Sequence, residues 1–211
     1  FHPALRPNAL ECGADYVTQS THKMLSAFSQ ASMIHVGDPA FDEHRFRENL
    51  NMHTSTSPQY AMIASLDMAR RQMSMEGFAQ LQRCIEIAGR LRDAIDSTGV
   101  FRVLRLEDML PSELRDDRIR LDPTKLSIDV SGTGMTARQI QLALFESHGI
   151  QVEKVTHNTL TVLVTMGTTP AKVLRLIDAL QKIAARAGKA TPARRRPRHW
   201  PTPRPGRPRP G

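Results

Sequence analysis

Ser20-Thr21-His22-Lys23 places a hydroxyl, an imidazole and a primary amine within one short stretch, directly after an apolar run of Ala14, Tyr16 and Val17. A second apolar run, Met33, Ile34 and Val36, follows. The pattern predicts a buried strand that ends at the reactive groups, then a return strand. An amine at such a strand end is suited to forming a Schiff base with an aldehyde. Ser20 and His22 are suited to donating hydrogen bonds to a phosphate, so the group as a whole would hold a phosphorylated carbonyl compound covalently. Taken bare, the motif is short. A lysine after a strand also occurs as a solvated loop residue, and His22 alone would also serve as a hydrogen-bonded structural imidazole.

A second hydroxyl-rich stretch, His53-Thr54-Ser55-Thr56-Ser57-Pro58, stands before a long apolar periodicity. Ser57 reads as a helix N-cap with Pro58 at the first helical position. Ser55 and Thr56 would then lie where hydroxyls and free N–H groups suit phosphate. Gly132 and Gly134 form neither a dinucleotide fingerprint nor a phosphate-cradling P-loop, and read as turn residues. Cys12 and Cys84 lie far apart without metal-ligand spacing, which suits a reduced, cytoplasmic compartment.

The longer string TQSTHKMLSAFSQASMIH, residues 18–35, closely resembles the pyridoxal-phosphate attachment segment of the bacterial ornithine/lysine/arginine decarboxylases, a fold type I group. The resemblance continues through His53-Thr54-Ser55-Thr56-Ser57-Pro58, Leu121-Asp122-Pro123-Thr124-Lys125-Leu126 and Gly149-Ile150-Gln151-Val152-Glu153-Lys154, and fades near Ala184. It implies that Lys23 is the imine lysine, and that Ser20 and His22 contact the cofactor phosphate or fix Lys23. It also implies that Ser55 and Thr56 reach the cofactor of a neighbouring subunit, in a homodimer or larger assembly. Without the resemblance Glu153 is a surface glutamate. With it, the carboxylate is a candidate partner for the distal cation of lysine, arginine or ornithine. The implied reaction is decarboxylation of a basic amino acid. Another fold type I reaction such as transamination, or a catalytically incomplete fragment whose basic tail binds acidic partners, are the alternatives. Members of the family carry an aspartate for the pyridine nitrogen and a stacking histidine upstream of the lysine. The matching region would precede Phe1, so the chain is expected to be a fragment and inactive alone.

The elements that must position these residues follow from periodicity. Residues 14–18 and 31–36 read as strands, 42–51 as a helix. Met62, Leu66, Ala69 and Met73, then Phe78, Leu81, Ile85, Ala88, Leu91 and Ile95, recur at helical spacing and predict core. Past Gly99 the rhythm changes to β-α-β-β-α, with strands at 126–130, 152–156 and 159–166 and helices at 136–148 and from 169. The fold class expected is α/β: the C-terminal part of a fold type I large domain over 1–100, a connection over 101–121, and a small α+β domain over 122–186.

Net charge is +8, but nine of the 29 Lys and Arg lie from Arg186 onward with none of the 21 acids. The preceding 185 residues therefore hold 20 basic against 21 acidic residues, and a nucleic-acid function inferred from overall charge would be an error. The stretch 187–211 contains seven of the 14 prolines and almost no aliphatics; it is expected to be a disordered arm, natural or from a shifted reading frame. Nucleic acid would meet it only non-specifically. No apolar stretch is long enough for a membrane span.

Overall fold

A computed structural model describes residues 2–114 and 116–187. It contains a two-stranded ribbon, a long helix and a four-stranded sheet with helices against it. The ribbon pairs β1 (Tyr16–Gln19) with β2 (Met33–Val36) antiparallel, in the register Tyr16↔Val36 to Gln19↔Met33. Between them lies one helical turn, α1 (Thr21–Met24), and an eight-residue return over 25–32.

The expectation of a buried strand is corrected here. Tyr16 is 48% and Ile34 43% exposed, and no residue of β1 or β2 is fully buried. The apolar pattern does form a pair of strands, but burial needs flanking strands or covering helices, and the two strands form a sheet of their own. One edge of cover exists. Tyr16 stacks on Phe46 (centroids 6.3 Å apart) of α2 (Glu43–His53), and Phe41 packs against Phe46 at 5.3 Å. Asp42 caps α2 by accepting the Arg45 N–H at 2.9 Å.

The two apolar stripes form a single helix, α3 (Tyr60–Asp96), of 37 residues. It begins two residues later than Ser57-Pro58 predicts. Gln59 is the N-cap and makes no side-chain cap bond, while the Ser57 N–H is taken by Ser55 Oγ at 3.2 Å. That local bond competes with helix initiation at Ser57. Phe78, expected in the core, is 57% exposed; its ring stacks on His2 at 4.8 Å. Of the expected stripe residues Ala69, Met73, Ala88, Leu91 and Ile95 are buried and Leu81 and Ile85 half-buried; Ala88, Leu91 and Ile95, with Cys84, join the core under the sheet. The turn after α3 contains Gly99 at φ +72°, a backbone region that glycine enters without a Cβ clash.

The sheet runs in the order β3-β4-β6-β5, every neighbour antiparallel: β3 (Arg102–Val103), β4 (Lys125–Asp129), β5 (Lys154–Val155) and β6 (Thr159–Leu163). β3 is too short to show alternation and was not visible in the sequence. Between β3 and β4 runs a loop with one helical turn, α4 (Leu106–Met109). Leu126, Ile128 and Leu160 are fully buried, packed with Ile140 and Leu144 of α5 (Ala137–His148) and Leu180 of α6 (Pro170–Ala187). The boundaries of α5 follow local chemistry. Thr136 and Gln139 form a capping box, and Gly149 closes the helix at φ +61°. Ala187 is the buried last residue of α6; the rest of the expected arm, 188–211, lies outside the described residues.

Candidate functional site

Ser20 stands at the end of β1 as the N-cap of α1, exposed, its hydroxyl making no cap hydrogen bond. Thr21 is buried at 5% exposure and anchors the turn, and Lys23 faces outward. The turn is closed by the Lys23 N–H to Ser20 O at 3.0 Å and the Leu25 N–H to Thr21 O at 2.8 Å.

His22 is fixed more firmly than either neighbour. Its backbone N–H donates to Ala31 O at 3.2 Å, and its ring Nδ1 lies 2.9 Å from the same oxygen. A carbonyl oxygen only accepts, so Nδ1 carries the hydrogen and Nε2 is left with its lone pair, or as a second donor when the ring is protonated. Ala31 is itself buried at 3%. The preceding Gln30 has φ +75°, and this left-handed step turns the return loop so that the Ala31 carbonyl faces the imidazole.

The Lys23 amine makes no hydrogen bond or ion pair among the described residues. A primary amine held beside a fixed imidazole and an uncommitted hydroxyl can condense with an aldehyde while its neighbours hold an attached anion. Ser20, His22 and Lys23 lie on the single turn that follows β1, Ser20 and Lys23 exposed and His22 half-buried. Ser55 and Thr56 are not joined to them by any hydrogen bond among the described residues. Both are exposed, between α2 and α3. Glu153 is also exposed, immediately before edge strand β5, its backbone N–H bonded to Thr161 O at 3.0 Å.

Sequence reasoning missed the parts that hold the turn in place: the Ala31 carbonyl, the Gln30 backbone and Ser65. Ser65 is 7% exposed on α3 and accepts the Phe28 N–H at 3.1 Å. The available signal was its position, four residues before Ala69 and eight before Met73, where a serine interrupts an apolar stripe. Among the described residues, open clefts lie elsewhere. One, of about 450 Å³, has Asp96, Arg102 and Asp129 in its lining; another, of about 430 Å³, has Arg6, Cys12, Arg118 and Arg120. Neither includes residues 20–23. Among the described residues no cluster of His, Cys, Asp and Glu could hold a metal ion, and no helix is long and apolar enough to cross a membrane.

Comparison with known proteins extends this geometry. The arginine decarboxylase of Bacillus cereus is 34% identical over 185 residues, covering 88% of this chain and 39% of that protein. The crystal structure of the Francisella novicida lysine decarboxylase matches with a TM-score of 0.67 at 29% identity, over 83% of this chain and 28% of that one. The serine palmitoyltransferase of S. paucimobilis, solved with bound pyridoxal phosphate, matches at a TM-score of 0.58 over 86% of this chain and 42% of that one; at 14% identity it shows the shared fold alone. The chain thus spans less than half the length of each of these proteins, and its fold is that of the fold type I pyridoxal-phosphate enzymes. The sequence model described as Orn/Lys/Arg decarboxylase, major domain, matches residues 1–172, and the chain belongs to that family.

Proposed function

We propose that this chain supplies the cofactor lysine, Lys23, of a pyridoxal-phosphate-dependent decarboxylase that converts lysine, arginine or ornithine to the corresponding amine. The observation that carries this reading is the juxtaposition at residues 20–23: an exposed amine with no partner among the described residues, beside an imidazole fixed through Nδ1. The donor set fits the cofactor. Lys23 matches its aldehyde, and the Ser20 hydroxyl, with His22 Nε2 as a second donor when the ring is protonated, matches its phosphate. When bound, pyridoxal phosphate supplies an electron sink for the pair left on the substrate α-carbon as carbon dioxide departs.

The remaining roles belong to the chain. Lys23 holds the cofactor in place and, once displaced by the substrate amine, is a primary amine positioned to move a proton. His22 cannot swing away while Nδ1 is bonded to Ala31, so it keeps the lysine turn in one shape. Glu153 would pair with the distal cation of the substrate. Ser55 and Thr56 would serve the neighbouring subunit of a homodimer or larger homo-oligomer. Self-association is supported by the apolar face of α3 away from its buried stripe, where Tyr60, Met75 and Phe78 are 78%, 70% and 57% exposed. The domain division is proposed as residues 1–100 of the large domain and 122–186 of the small one, with 101–121 connecting them. The free thiols Cys12 and Cys84 support a reducing, cytoplasmic location.

Borohydride reduction of the intact protein loaded with pyridoxal phosphate tests the central assignment. A phosphopyridoxyl group should map to Lys23 by mass spectrometry and vanish in Lys23→Ala. Its appearance on another lysine would remove Lys23 from the role.

A further inference from the structure

We propose that Ser65 is a positioning residue for the lysine turn, acting through the return loop on the ring of His22. The proposal rests on the functional reading above, and deepens it.

A continuous chain of hydrogen bonds runs from the long helix to the imidazole. Ser65 Oγ donates to Met62 O at 2.7 Å within α3, which fixes the hydroxyl hydrogen and turns a lone pair outward. That lone pair accepts the Phe28 N–H at 3.1 Å. The Phe28 carbonyl accepts the Ala31 N–H at 3.1 Å, and the Ala31 carbonyl accepts both the backbone N–H and the Nδ1–H of His22. Every link after the first belongs to the loop 25–32 or to His22 itself, so Ser65 is where this chain is tied to the helix. Two of its members are buried, Ser65 at 7% and Ala31 at 3% exposed, and His22 is half-buried. By contrast the Phe28 side chain is 59% exposed, so the loop is held here by its backbone amide rather than by its ring.

Chemistry makes the arrangement directional. A part-buried N–H deprived of its acceptor is disfavoured, so loss of the Ser65 hydroxyl should move Phe28 toward water rather than leave it in place. Phe28 and Ala31 move together because the turn between them is closed by their own bond. The Ala31 carbonyl then leaves Nδ1, and the ring, no longer held in one orientation, becomes free to rotate and to carry its hydrogen on Nε2.

The test uses Ser65→Ala and Ser65→Thr in the intact protein. Alanine removes the hydroxyl and is a better helix former than serine, so α3 is preserved; threonine keeps the hydroxyl. Nitrogen–proton correlation spectra of the His22 ring, recorded without cofactor, report the tautomer. Amide exchange reports Phe28, Ala31 and His22, and borohydride trapping reports how fast pyridoxal phosphate reaches Lys23. In Ser65→Ala all three amides should exchange faster, the Nε2–H form should appear, and trapping should slow by about fivefold, the typical worth of one hydrogen bond. Ser65→Thr should restore all three. Faster exchange at Phe28 with an unchanged His22 tautomer would overturn the proposal, since Ser65 would then support only the loop. If the unsubstituted protein places no label on Lys23, the cofactor reading fails, while the tautomer comparison still decides the role of Ser65.

Discussion

Truncating Leu91 to alanine should unfold the C-terminal half of α3 and the four-stranded sheet together. Leu91 is 1% exposed and belongs to one buried cluster with Ile128 and Leu160 of the sheet and Leu180 of α6. Leu91→Ala removes three carbons. At about 0.8 kcal/mol per buried methylene the transfer loss is about 2.4 kcal/mol, and the cavity left in a close-packed site raises the total to roughly 3–4 kcal/mol, inside the range of about 2–5 found for such truncations. For a domain of this size each kcal/mol lowers the melting temperature by roughly 2–4 °C, so a fall of roughly 6–16 °C is expected. Leu160→Ala, at 0% exposure on β6, should give a similar fall. Leu174→Ala, at 66% exposure on α6, should change stability by less than about 0.5 kcal/mol. Urea and thermal melts followed by far-ultraviolet circular dichroism make the comparison. If Leu91→Ala and Leu160→Ala displaced two different transitions, helix and sheet would not share a core. A loss below about 1 kcal/mol at Leu91 would equally refute the packing argument.

Three further outcomes are expected. Burial raises the Asp122 pKa, but hydrogen bonds from the Thr124 side chain and N–H and from Lys125 outweigh it, and the net shift is downward. A depressed folded pKa means that this contribution is present above the ordinary aspartate value of about 3.9 and is lost as pH falls through the lower folded value. Asp122→Asn should therefore flatten the acid limb of stability, read from urea midpoints at neutral and strongly acidic pH; an unchanged acid limb would contradict it. In Gly132→Ala the new Cβ would lie 2.5 Å from Val100 O, a backbone atom that cannot swing aside. The cost should be about 1–3 kcal/mol by thermal melt, and a neutral result would show that the turn relaxes freely. For Glu153, the intact protein should decarboxylate its basic substrate and turn over norleucine negligibly, and Glu153→Gln should narrow that preference by tenfold or more on the order of one lost charge pairing. Equal rates for lysine and norleucine in the unsubstituted protein would take Glu153 out of the site.

Local patterns settle local structure, and in this chain they do so well. Thr136 with Gln139, and Gly149, mark the ends of α5 because capping bonds involve residues only a few positions apart. The alternation of Leu126 and Ile128 marks β4, and the hydroxyl–imidazole–amine spacing marks the candidate site. What pattern could not decide is anything that depends on a distant neighbour. The apolar residues of β1 and β2 read as buried but are exposed (Tyr16, Ile34) or half-buried (Val17, Met33, Val36), and Phe78 reads as core but stacks on His2 from a separate loop. β3 exists only because β4 offers it hydrogen bonds, and two residues are too few to carry a period. The clearest case is His22. Its identity and its place before Lys23 stand in the sequence, whereas its tautomer depends on a carbonyl nine residues away, turned by Gln30 and linked to Ser65 through Phe28. A side chain's type is set by the chain, but the direction of its hydrogen bond is set by whichever backbone the fold brings within about 3 Å of it.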